Sequence, residues 1–169
     1  FAPFIATQDP LMQDLTNRFQ PPSLEHPFGT DHLGRDIFSR VVYGSRISLM
    51  MGITVTLILF TIGTTLGLIA GFFGGAVDEI IMRITDIIMA FPSLILAIAV
   101  AAALGPSLLN TMIAIAIVGW PRYARLARAN CMQVKNELYI EAARAIGVSN
   151  LRLIFSHIFP MIISPLIVQ

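Results

Sequence analysis

Charge is scarce in this sequence. Only 12% of its 169 residues are charged, about half the share that soluble domains carry, so a water-facing surface cannot be clothed. The net charge is +1, so no basic excess points to nucleic acid, and none is expected as a partner. Cysteine is almost missing. A lone Cys131 excludes an internal disulfide and argues against a thiolate metal cluster, and it reads as a small buried or interfacial residue. Lysine occurs once, as Lys135 after Val134 with no glycine nearby. A phosphate-binding loop needs Gly-x-x-x-x-Gly-Lys-Ser/Thr, so this chain has no such loop of its own. No basic run precedes the short apolar stub at Phe1, so no cleavable signal peptide is expected. The sequence starts without Met and stops at Gln169 in an apolar run, so we read it as a piece cut at both ends.

What is abundant is apolar: 56% of the residues, with a mean hydropathy of +0.77. Ile47 to Val77 carries no formal charge, ample for one spanning helix, which takes roughly 20 residues. Gly74-Gly75 should end it. Gly63 and Gly67 stand in the small-xxx-small spacing that lets helices approach closely, although glycine is also simply commoner in membrane helices. A second uncharged stretch, Ile87 to Pro121, is too long for one span, and Gly105-Pro106 divides it. Its first helix is expected to begin near Arg83, with Pro92 as a tolerated kink and Arg83 pairing with Asp86 at i,i+3. The next helix should leave the bilayer near Trp120, Arg122 and Tyr123, residue types that favour the headgroup level, and continue into water. A last apolar run starts at Leu153. The expected fold class is therefore all-α, a polytopic membrane protein with about four spans at 47–73, 83–104, 107–121 and 153–169. Basic residues are denser in 121–152 than in 1–46, which puts the former segment on the cytoplasmic side and the latter outside.

Segment 121–152 holds the most information. Arg122, Arg125 and Arg128 step by three and form a basic stripe on a helix. Tyr139 to Ile146 consists of good helix formers, Gly147 suits a left-handed helix end, and Ser149 or Asn150 can cap the next helix. Adjacent Ala142 and Ala143 offer a flat face, with Glu141 at its rim. Taken alone, this helix, hinge and helix suits a docking surface and a structural elbow equally well.

Glu141-Ala142-Ala143, Gly147 and Pro160 together resemble the EAA loop of binding-protein-dependent ABC importer permeases. The ending His157-Ile158-Phe159-Pro160 is similar to the His-x-Leu-Pro variant of peptide and nickel permeases. A second stretch resembles the external segment after the first membrane helix of the second permease in dipeptide, oligopeptide and nickel importers. It comprises Gly29, Thr30, Asp31, Gly34, Arg35 and Asp36, followed by Arg40, Gly44 and Arg46.

The resemblance implies the six-helix transmembrane domain of a type I ABC importer, here lacking both ends. It divides the chain into an external segment, 1–46, with an interfacial helix at 36–46, and a transmembrane domain, 47–169, whose coupling loop is 136–150. Glu141, Ala142, Ala143 and Gly147 are implied to meet a cytosolic ATPase. The implied partners are a second permease subunit, two ATPase subunits, an external substrate-binding protein and membrane lipid. ATP and Mg would sit on the ATPases, so this chain is expected to bind no cofactor and to be no enzyme. The location implied is the bacterial or archaeal plasma membrane, and the cargo a di- or oligopeptide, with nickel or glutathione as alternatives. His26 and His32 invite a metal reading, but the Gly and Pro around them favour ordinary loop residues. His157 reads as a bundle-facing hydrogen-bonding residue.

A secondary transporter or a channel subunit is the rival class. The first usually shows internal repeats and midplane charges, the second a ring of carbonyls or charges, and neither pattern is visible.

Overall fold

Nothing between Ile37 and Phe73 stops a helix, and the backbone forms a single one there. The computed structural model describes residues 2–169 and contains short α1 (Ala2–Ile5) and the long α2 (Ile37–Phe73). This corrects the expectation of a separate interfacial helix at 36–46. Gly44 meets nothing within 4 Å of an added Cβ, and no proline intervenes, so the helix runs on. Asp36 starts it, its carboxylate accepting from the Ser39 N–H at 2.8 Å. Contacts divide the chain after Thr54, within α2, rather than at the charge boundary near Ile47.

The first unit, through Thr54, joins α1 to α2 by a long loop. Asp14 caps a 3₁₀ turn (Leu15–Asn17) by accepting from the Thr16 N–H at 3.0 Å. Thr30 and Asp36 form an isolated antiparallel bridge across the loop's end.

The second unit holds α3 (Gly75–Met89), α4 (Ser93–Leu104), α5 (Leu108–Val134), α6 (Leu138–Ala145) and α7 (Asn150–Val168). One span was expected at 83–104. Instead α3 and α4 are separate helices bent by 89° at a short break. Pro92 has no N–H and disfavours helical backbone at Phe91, so the kink becomes a break. Two helices, α2 and α7, are long and apolar enough to cross a membrane, or three spans if the bent pair counts as one. The expected span at 107–121 is not among them. Its helix begins at the Ser107 cap and continues to Val134, and the polar run from Trp120 dilutes the apolar part.

Close approach of α2 to α5 organises this unit. A Cβ on Gly63 would lie 2.5 Å from both the Trp120 carbonyl oxygen and Tyr123 Cβ. On Gly67 it would strike the Ala124 carbonyl, and on Gly71 it would lie 2.9 Å from Cys131 Cβ. The three glycines thus form a groove that seats α5, the function that small-xxx-small spacing serves. Below it Leu68, Phe72, Cys131, Ile140, Ala143, Leu153, Ile154 and Ile158 share one core cluster. Within α7, Leu153–Ile158 is π-helical. Pro160 has no N–H to give the Ser156 carbonyl and its ring crowds that carbonyl, so the turn widens there.

Candidate functional site

Loop 138–150 is built so that one side of α6 is anchored and the other is free. Ile140 is fully buried and Ala143 is 9% exposed, both within the core cluster. These positions are i and i+3, one face of a helix. Glu141, Ala142, Ala145, Ile146 and Gly147 all lie exposed, Ile146 at 83%. The two alanines therefore do not make one flat face. Neighbours on a helix point about 100° apart, so with Ile140 plugged into the core only Ala142 faces outward.

The helix ends in a complete Schellman motif. The Val148 N–H donates to the Ala143 carbonyl at 3.1 Å and the Gly147 N–H to the Arg144 carbonyl at 3.0 Å, with Gly147 at φ +84°. Ser149 then caps α7 through its backbone, its carbonyl accepting from the Leu153 N–H at 2.9 Å, and its side chain makes no capping bond. Pro160 lies about two turns into the apolar part of α7, and His157 is half-buried in the π-helical stretch.

Two ion pairs tie α3 to α5, and one of them takes Asp86 away from the partner expected for it. Asp86 binds Arg125 at 2.5 Å instead of Arg83. Asp78 receives two donors from Arg128, at 2.5 and 2.6 Å. Asp78 and Asp86 lie eight residues apart and Arg125 and Arg128 only three, about 12 Å against about 4.5 Å along the helix axes, so no shared spacing in the sequence announces these pairs. Opposite charge on the two segments was the only available signal. Arg122, the third of the stripe, lines a 430 Å³ cavity whose apolar walls include Leu59, Leu94, Ala97, Ile115 and Val118.

In the first unit, most of the second motif converges. Asp31 accepts from the Leu33 and Arg35 N–H groups at 2.8 and 3.1 Å, from the Arg35 side chain at 2.8 Å, and from Arg40. Burial raises the Asp31 carboxyl, but these donors outweigh it and hold it well below the usual carboxylate range. Asp36, 2% exposed, accepts from Thr7 Oγ1 at 3.1 Å and lies 3.1 Å from His26 Nδ1. Burial raises its carboxyl too, and the Ser39, His26 and Thr7 bonds bring it below its ordinary value. His26 thus engages a carboxylate and not His32. Gly29 and Gly34 make turns at positive φ, and Thr30 Oγ1 accepts from the Gln20 N–H at 2.8 Å. The structure brings Gly29 through Asp36 and Arg40 into this knot. Gly44 and Arg46 stand outside it, exposed on α2.

A helical chain with long apolar spans, a charge-tied bundle and a short amphipathic helix with one free face is a multi-pass membrane protein. Residues 63–169 match the family described as binding-protein-dependent transport system inner membrane component, and the chain belongs to that family. It is 50% identical over 169 residues to a dipeptide transport system permease protein of Alkalihalophilus pseudofirmus, covering 100% of this chain and 56% of the relative. It is 52% identical over 169 residues to a probable D,D-dipeptide transport system permease protein of Escherichia coli, covering 100% and 57%. Over 147 residues it is 48% identical to a glutathione transport system permease protein of Pectobacterium atrosepticum, covering 87% of this chain and 49% of that one. The chain thus spans about half the length of the curated relatives it matches. These relatives are transport permeases rather than enzymes, and the family's place is the inner membrane.

Proposed function

We propose that this chain forms part of the membrane path of an ATP-driven importer for di- or oligopeptides. An external binding protein delivers the cargo, a second permease subunit completes the path, and two cytosolic ATPase subunits drive it. Carrying this reading is the asymmetry of α6: Ile140 and Ala143 lock it to its own bundle while Glu141, Ala142, Ala145 and Ile146 remain exposed for a partner. A short, rigidly held helix with a free face suits the transmission of movement from a soluble motor. Glu141, Ala142 and Gly147 would meet the ATPase, and Ala143 would hold α6 in place from behind. ATP and Mg belong to the ATPases in this reading, consistent with Lys135 being occupied by the Gly71 carbonyl at 2.7 Å. The cavity between α2, α4 and α5 supplies an apolar wall for a path. The peptide relatives support the cargo class. The glutathione relative keeps a modified tripeptide as the second reading.

The test is co-purification of the full-length permease with its ATPase subunits, followed by uptake of radiolabelled alanyl-alanine into vesicles, with glutathione as competitor. Glu141→Lys should reduce recovery of the ATPase and leave the thermal midpoint unchanged, because Glu141 is exposed. Full recovery of the ATPase by that variant would overturn the docking assignment. Displacement of dipeptide uptake by glutathione at equal concentration would favour the second cargo.

A further inference from the structure

Two cations that flank α6 hold the last turn of α2. Lys135, at the corner between α5 and α6, donates from Nζ to the Gly71 carbonyl at 2.7 Å. Arg144, in the last turn of α6, places its guanidinium 5.7 Å from the centre of the Phe72 ring. Gly71 lies in the final turn of α2, where carbonyls lose their helical partners and the helix dipole is negative, so an ammonium group suits it. Phe72 is 9% exposed and packs in the same cluster as Ile140 and Ala143. Its ring therefore cannot swing away from the guanidinium.

The apolar plug and the two cations do different things. Hydrophobic burial is non-directional, so Ile140 and Ala143 hold α6 close without fixing its rotation. A hydrogen bond at one end of α6 and a cation over a ring face at the other are directional. Neither Lys135 nor Arg144 forms a salt bridge among the described residues, so both are committed to α2. Since α2 is seated on α5 through Gly63, Gly67 and Gly71, a displacement delivered to its end is shared by the pair.

We infer that Lys135 and Arg144 are positioning residues that carry movement of α6 to the end of α2. This inference rests on the proposed docking of an ATPase at α6. The decisive quantity is peptide taken up per ATP hydrolysed, measured in vesicles holding the full-length permease, its second permease and its ATPases, with binding protein loaded with radiolabelled alanyl-alanine. The double variant Lys135→Met with Arg144→Met should still co-purify with the ATPases and hydrolyse ATP, with uptake per ATP reduced about two- to thirty-fold. The conservative pair Lys135→Arg with Arg144→Lys should restore it.

Unchanged uptake per ATP overturns the inference. So does parallel loss of co-purification and uptake, which is what simple anchoring produces. If the double variant yields no folded permease at all, Phe72→Leu decides: it keeps apolar volume and removes the ring, and it must lower uptake per ATP for the inference to survive. Failure of the unsubstituted permease to recover any ATPase refutes the docking itself, and is seen before any variant is made.

Discussion

Arg128 grips Asp78 through two nitrogens, Nε at 2.5 Å from one carboxylate oxygen and a terminal nitrogen at 2.6 Å from the other. The forked, parallel geometry is one only arginine supplies, and both side chains are largely shielded, at 31% and 18% exposure. It fastens the first turn of α3 to α5 at the point where α2 has just ended. Asp78→Asn and Arg128→Met should each cost about 1–2 kcal/mol, and the double variant should cost little more than either alone. Arg128→Lys should recover less than half of the loss. Thermal unfolding of the detergent-purified protein, arranged as a double-mutant cycle, checks this. Additive losses would mean that the two residues act separately.

Gly67 tolerates no side chain for a reason of contact. An added Cβ would lie 2.7 Å from Ala127 Cβ, 3.0 Å from the Ala124 carbonyl carbon, and against that carbonyl's oxygen. Backbone has no rotamer with which to retreat, so the helices must part. Gly67→Ala should destabilise by about 1–3 kcal/mol and Gly67→Val by more. Gly52→Ala meets nothing within 4 Å and is the control, expected to be neutral or to stabilise by up to about 1 kcal/mol. Equal melting of the two alanine variants would refute the tight crossing.

Much of this architecture is legible from local chemistry, and what escapes is set by packing. The helix formers before Gly147 foretell α6, and the uncharged runs foretell α2 and α7, because backbone preference and burial act there within one segment. Two prolines show the limit. Pro92 breaks its helix whereas Pro121 sits fully buried inside α5. Which outcome holds depends on the neighbours that pack around the freed carbonyl, and those are distant in sequence. Asp86 illustrates the same point, since Arg83 is nearer along the chain but Arg125 faces it across the helix pair. The outward turn of Ala142 and inward turn of Ala143 follow from Ile140 entering a core made by α2, α5 and α7, which no local pattern fixes.

The Asp31 knot should resist acid. Its carboxyl is held below the ordinary 3.8 in the folded loop, the donors from Arg35 and Leu33 outweighing burial. A depressed folded value means that the contribution is fully present above 3.8 and is lost as pH falls beneath it toward the folded value. The Gly34 and Arg35 amides, corrected for intrinsic exchange, should therefore keep constant protection from neutral pH down to about 4 and lose it only below. Asp31→Asn should lower that protection already at neutral pH and abolish the acid step. A protection change centred near neutrality would point to a different titrating group.

Gly147 is required by conformation alone. Its φ is +84°, and an added Cβ would meet nothing within 4 Å, so any penalty comes from the backbone and not from a clash. The left-handed region costs an ordinary L-residue roughly 1–2 kcal/mol, asparagine less, and a β-branched residue more. The predicted order of stability is therefore glycine, then Gly147→Asn, Gly147→Ala and Gly147→Val. Function should follow the same order for a separate reason. The bonds from Val148 to Ala143 and from Gly147 to Arg144 fix how α6 turns into α7, so a residue that shifts φ re-aims the exposed face carrying Glu141 and Ala142. Recovery of ATPase on the permease should fall along the series. If Gly147→Asn and Gly147→Val recovered equal amounts while melting differently, the hinge would matter for folding and not for docking.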